Sequence, residues 1–227
     1  MTSDMPEVIG DVLPLAVGIA ISPIPIIAAI LMLLSPKAKT TSVGFLIGWL
    51  LGIVVAVVLF TLLSGLIPAA DPDASKPVAG IVKIVLGVLL LLLALRQWRS
   101  RPRGDQPAAL PKWMDAIDSM TAVRGLVLAF LLAAVNPKNL LLAASAGVTI
   151  GSAGLTVGEA TLVIAVFTLV AGISVLVPVI GYLVAADAMR GPLDALRGWL
   201  VAHNAAVMTV LLLVIGVVMI GKGIGSF

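Results

Sequence analysis

Six long apolar runs divide this chain. They cover residues 12–34, 40–70, 77–95, 120–150, 160–186 and 198–221, with Lys83 inside the third and Arg124 and Lys138 inside the fourth. Each supplies the ~20 residues that an α-helix needs to cross ~30 Å of hydrocarbon. Membrane barrels instead show ~10-residue segments of alternating polarity. Unbroken stretches such as residues 88–93, all Leu or Val, therefore point to helices.

Two of the runs are interrupted by proline. The first contains Ser22-Pro23-Ile24-Pro25 and the fourth Asn136-Pro137-Lys138-Asn139. The breaks lie 114 residues apart (136 − 22), and the same offset relates Ser42-Val43-Gly44 to Thr156-Val157-Gly158. A third match, Val85-Leu86-Gly87-Val88 with Val214-Ile215-Gly216-Val217, has an offset of 129, which places 15 extra residues in a connection around residues 187–199. Paired helix breaks at corresponding places in two halves are the best sequence pointer to a transporter's binding site. Chance similarity among Val, Leu and Gly segments is the plainer alternative.

Composition sharpens the class. The chain has 227 residues, 61% of them hydrophobic and 11% charged, with a mean hydropathy of +1.22. A soluble domain carries about 25% charged residues, so this is an integral membrane protein. There is no Cys, which excludes disulfides and thiolate sites. The first eleven residues hold Asp4, Glu7 and Asp11 but no basic residue, so the first apolar run is expected to be retained rather than cleaved as a signal peptide.

The charge distribution orients the spans. Arg96, Arg99, Arg101, Arg103 and Lys112 follow the third run, and a six-span path puts Lys37, Lys39, Arg124, Arg190 and Arg197 on the same side. Lys76 and Lys222 fall opposite, near Asp71 and Asp73. Basic residues concentrate in cytoplasmic loops, so both termini are expected outside the cytoplasm. Three spans per half reverse the chain direction, so the halves must be inverted. The expected fold is an all-α integral membrane protein of six transmembrane helices, arranged as two inverted three-helix repeats with helices 1 and 4 broken. Residues 1–97 form the first repeat, 98–118 a basic cytoplasmic linker and 119–227 the second repeat. Residues 112–120 of the linker suit a short amphipathic helix on anionic lipid, or a plain solvated loop.

Proline lacks the backbone donor and clashes with the preceding turn. Ser22-Pro23 and Asn136-Pro137 also read as helix starts, with an N-cap residue followed by Pro at the first helical position. Each broken span is then two half-helices, whose N-terminal ends near the midplane favour anions. Lys138 lies 14 residues after Arg124, about 21 Å along a helix at ~1.5 Å per residue. A lysine at that depth costs about 2.5–3.5 kcal/mol on insertion scales and is functional by default. No carboxylate lies deep in any run, so an anionic ligand is a natural partner. The candidate substrate-binding residues are Ser22, Pro23, Pro25, Asn136, Pro137, Lys138 and Asn139. Simple proline kinks are the competing explanation. Ser145, His203 and Asn204 are candidate pathway residues. Thr149 follows Ser145 at helical spacing, and both equally suit helix packing, as do Gly44, Gly48 and Gly52. Lys83 lies near a span end and can snorkel outward.

These residues carry a family resemblance. Residues 22–36, from Ser22-Pro23-Ile24-Pro25 to Ser35-Pro36, together with Gly44-Phe45-Leu46-Ile47-Gly48-Trp49 and Asn136-Pro137-Lys138-Asn139-Leu140, resemble the GAP family of glycopeptidolipid- and sulfolipid-addressing proteins. The three-plus-three arrangement is similar to the wider lysine-exporter (LysE-type) superfamily. The resemblance implies a part in moving cell-envelope glycolipids outward across the inner membrane, and it carries no set of catalytic residues.

The expected function is an inner-membrane transporter or flippase for an anionic, glycolipid-type envelope substrate. The alternatives are an exporter of small amino acids or metabolites and a non-transporting accessory subunit of a larger lipid-export machinery. A membrane enzyme is disfavoured: the chain has one His, no Cys and no deep carboxylate pair. No cofactor and no metal are expected. The expected partners are the anionic lipid or glycolipid, the surrounding membrane lipids and the export machinery, with a homodimer left open and no nucleic acid.

Overall fold

The computed structural model describes residues 5–65, 77–99, 117 and 119–227. The linker expected at 98–118 and the amphipathic segment at 112–120 fall almost wholly outside these residues, as do Lys76, Asp71 and Asp73. The described chain is helical: α1 Met5–Ala20, α2 Pro23–Leu34, α3 Ala38–Gly65, α4 Pro77–Arg99, α5 Ala122–Ala134, α6 Pro137–Gly151 and α7 Val157–Ile224.

Both expected breaks are present. α1 and α2 meet at 53°, and α5 and α6 at 62°. Among the described residues, three helices are long and apolar enough to cross a membrane, and each bent pair passes the same test jointly, giving up to five spans. The expected connection at 187–199 is not a loop. Helix runs through it, and α7 departs from helical geometry at Ala185 (φ −143°, ψ 61°). Ala, Met, Arg and Leu dominate residues 186–200 and favour helix, while Leu193 and Leu200 bury at helical spacing. A straight helix of 68 residues would reach about 100 Å at ~1.5 Å per residue, about three hydrocarbon thicknesses. The chain instead bends at Ala185: a Cβ on Gly181 would lie 3.1 Å from the Met189 Cε, eight residues on.

Glycines set how closely the helices approach. A Cβ on Gly44 would lie 2.3 Å from the Ala122 carbonyl oxygen, and one on Gly48 2.0 Å from that of Leu126. One on Gly52 would lie 2.6 Å from the Ala133 Cβ. Residue numbers rise together along this contact, so α3 and α5 are parallel. Gly147 against Val57 and Phe60, then Gly151 against Ser64, makes α3 and α6 parallel too. The glycine stripe expected to pack helices does so.

α4 and the second arm of α7 are antiparallel. Gly80 opposes Gly223 and Gly87 opposes Gly216, with would-be Cβ to carbonyl distances of 2.8–3.0 Å in both directions. Gly87 and Gly216 are the corresponding glycines of the third sequence match. α1 runs antiparallel to the same arm, with Gly18 at Ile215 and Asp11 at Lys222.

The sequence halves interlock. α1 packs on α6 and α7, whereas α5 packs chiefly on α3. α2 lies in the middle, with nine of its twelve residues buried, and a helix apolar all round is a buried helix. Its Met32 reaches Gly125 of α5. Outward faces carry exposed Leu, Val and Ile, including Leu92, Val127 and Val217, as lipid-facing helices require.

Candidate functional site

The two breaks face each other, and the reason begins in the backbone. Pro23 has no N–H, so Ile19 loses its helical donor. The Ser22 N–H turns back to the Ile19 carbonyl at 3.1 Å, and the Ser22 hydroxyl lies 2.6 Å from the same oxygen. With Ser22 diverted, the Gly18 carbonyl loses the donor four residues on that a continuous helix would supply. A buried carbonyl without a partner costs about 1–3 kcal/mol. Lys138 fills this vacancy: its Nζ donates to the Gly18 oxygen at 2.7 Å and also to the Ser22 Oγ. A cation at the carbonyl end of α1 also complements the helix dipole.

Asn139 completes the cluster. Its amide nitrogen donates to the Leu132 carbonyl at 2.9 Å, which fixes the ring of contacts to α5. Its Oδ1 faces the Ser22 hydroxyl at 3.0 Å. The single Ser22 proton serves either Ile19 or Asn139, while its oxygen accepts from Lys138. Ser22, Lys138 and Asn139 are 3%, 9% and 1% exposed. Every described partner of the Lys138 ammonium is neutral. Keeping a buried lysine charged without a counter-charge is costly.

The helix starts contribute less than the sequence suggests. Ser22 and Asn136 are the N-cap residues, each followed by Pro. Pro23 and Pro25 remove two of the first three helical donors of α2. In α6, Pro137 removes one, and the Asn136 side chain accepts from the Lys138 N–H at 3.1 Å. The Lys138 side chain, rather than an array of free backbone N–H groups, is the main donor at the break.

Of the candidate residues, Ser22, Lys138 and Asn139 come together directly. Pro23 and Pro25 are buried beside them in sequence, Asn136 is half-buried, and Pro137 is exposed. Ser145 and Thr149 are buried in α6, but their hydroxyls bond back to the Leu141 and Ser145 carbonyls, as packing residues do. His203 is exposed, stacks on Trp199 with ring centroids 4.8 Å apart, and bonds the Trp199 carbonyl. It lies 12 residues before Ile215, the neighbour of Gly18, so about 18 Å along the helix. Neither His203 nor Asn204 joins the cluster. The Asn204 Oδ1 is buried and has no hydrogen-bond partner among the described residues.

Two features escape the sequence reading. The Gly18 carbonyl is a backbone ligand, legible only once the helix end is known. The Asp11–Lys222 ion pair joins α1 to the end of α7 across 211 positions, and Lys222 also reaches the Asp11 carbonyl.

The family model described as Sap, sulfolipid-1-addressing protein, matches residues 12–225. The chain belongs to this sulfolipid-1-addressing protein family. No curated protein and no solved structure matches the chain. Membership agrees with the resemblance read from residues 22–36, 44–49 and 136–140. It makes this a lipid-related membrane protein, with both helix breaks inside the matched region.

Proposed function

We propose that this protein is an inner-membrane transporter that moves an anionic, glycolipid-type envelope substrate outward, with the headgroup recognised by Lys138 between the two helix breaks. The observation that carries the proposal is the Lys138 ammonium, buried at the junction of α1 and α6 and held by neutral partners. The family's description, sulfolipid addressing, supports a lipid cargo with a charged headgroup. The inverted-repeat architecture belongs to the same proposal. Its support is the parallel α3–α5 pair, the facing Gly87 and Gly216 on antiparallel helices, and the bend at Ala185 that makes a sixth span available. Such a six-span path brings both termini to one side, the concentration of basic residues in the opposite loops supports the extracytoplasmic side, and the arrangement resembles that of the lysine-exporter superfamily. The protein acts as a carrier and not as an enzyme.

Lys138→Met keeps the aliphatic stem and removes the charge. In cells depleted of the native protein, surface levels of anionic envelope lipid should fall about tenfold with this variant, the equivalent of ~1.4 kcal/mol. Protein level should stay equal or rise. Lys138→Arg should restore export in part, because the guanidinium is bulkier and forked. Undiminished export by Lys138→Met at matched protein level overturns the proposal and favours an accessory role.

A further inference from the structure

α1 is tied to the second half of the chain at two points, and the ties differ in kind. At the break, the Gly18 carbonyl accepts from Lys138. Near the other end, Asp11 pairs with Lys222, with side chains 39% and 29% exposed. Between these points Val12, Leu15 and Ala16 are buried and Gly18 sits tightly against Ile215 and Leu142. Beyond the break, the chain leaves helical geometry at Ser22 (φ −81°, ψ 106°) and turns by 53° into the buried α2. α1, which carries Pro14 in its interior, therefore has a bend at one end and an ion pair near the other.

The Lys138 ammonium has three donors, of which the Gly18 carbonyl and the Ser22 hydroxyl take two; a headgroup that draws the ammonium toward itself loosens its hold on the Gly18 carbonyl. Displacing that carbonyl removes the polar tie at the hinge end of α1, which leaves its apolar packing on α6 and α7 and the Asp11–Lys222 pair. A half-exposed ion pair is a weak tie that water and salt readily replace. It is suited to repeated opening, unlike a buried pair, whose breakage strands a charge.

We propose that α1 is the gate over the Lys138 site and that the Asp11–Lys222 ion pair is its latch. This rests on the transport function proposed above. Headgroup binding releases the inner tie, opening of the latch lets α1 swing about Ser22, and the lipid leaves on the side where Asp11 and Lys222 lie.

The absence of native cysteine permits a direct test. Asp11→Cys with Lys222→Cys, in purified protein reconstituted into vesicles, is joined by a short flexible bis-maleimide. The probe is fluorescently labelled phosphatidylglycerol, and its transbilayer movement is read by quenching the accessible leaflet. Joining the two cysteines should slow Lys138-dependent movement about tenfold, and the unjoined double variant should move the probe faster than wild type. Asp11→Asn, which needs no cross-link, should also speed movement, and the exchange Asp11→Lys with Lys222→Asp should bring the rate back toward wild type. Unaltered Lys138-dependent movement after cross-linking overturns the gate and leaves the headgroup site standing. Equal or slower movement in Asp11→Asn also overturns the gate. Movement of the probe that ignores Lys138 in the otherwise native protein overturns both proposals.

Discussion

Three side chains, Ser22, Lys138 and Asn139, decide what the centre of this protein can do. Ser22 is the shared member: it accepts from Lys138 and faces the Asn139 Oδ1. Ser22→Ala leaves the ammonium with one fewer acceptor and strands the Asn139 oxygen. Loss of one partner in a buried pair costs about 1–3 kcal/mol, so the variant should unfold several degrees lower in a thermal scan of the detergent-solubilised protein. An unchanged transition would mean that water replaces the hydroxyl. Lys138 was legible from sequence, because charge is rare at that depth. The Gly18 acceptor was not, since a carbonyl becomes available only where a particular helix stops. The Asp11–Lys222 pair was hidden for another reason: both residues lie near span ends, where charge is unremarkable, and only packing joins them.

At the scale of elements, proline and glycine do most of the specifying. Pro23 and Pro137 predicted both breaks, and the structure bends at both. Changing each to Ala restores a donor to the first position of α2 and of α6 and favours straight helices through 20–24 and 134–138. The double variant should accumulate normally but lose most anionic-lipid export in the same cellular assay. Wild-type export would identify the breaks as ordinary kinks. Gly48 tests the α3–α5 contact. Its would-be Cβ meets a carbonyl oxygen, which cannot rotate away, at 2.0 Å. Gly48→Ala should destabilise by about 1–3 kcal/mol, the usual range for overpacking, read as a lower thermal midpoint. The connection expected at 187–199 rested on the unequal offsets of 114 and 129, and the structure keeps these residues helical despite Gly191, Pro192 and Gly198. Helix-favouring neighbours and the buried Leu193 and Leu200 outweigh them, and the turn falls on Ala185, a residue with no local signal.

For the whole molecule, the membrane class and helical build were legible from hydropathy alone, and the family from the two proline segments and Gly44–Trp49. What pattern does not reveal is the interlocking, with α1 seated on α6 and α7 and α5 seated on α3. Sequence order suggests two separate halves, whereas close contacts between glycines on distant helices join them. Topology is testable at this scale. Compartment-sensitive reporters on each terminus should both report an extracytoplasmic position, because ten basic residues otherwise lie on the unfavoured side. A cytoplasmic signal from either end would exclude the six-span inverted arrangement. The central claim is that a buried cation between the two breaks selects an anionic headgroup. The most direct measurement compares transbilayer movement of labelled phosphatidylglycerol and labelled phosphatidylcholine in vesicles holding wild type or Lys138→Met. The account predicts that wild type moves the anionic lipid faster and that Lys138→Met moves the two lipids equally slowly. A preference for phosphatidylglycerol that survives in Lys138→Met would contradict it.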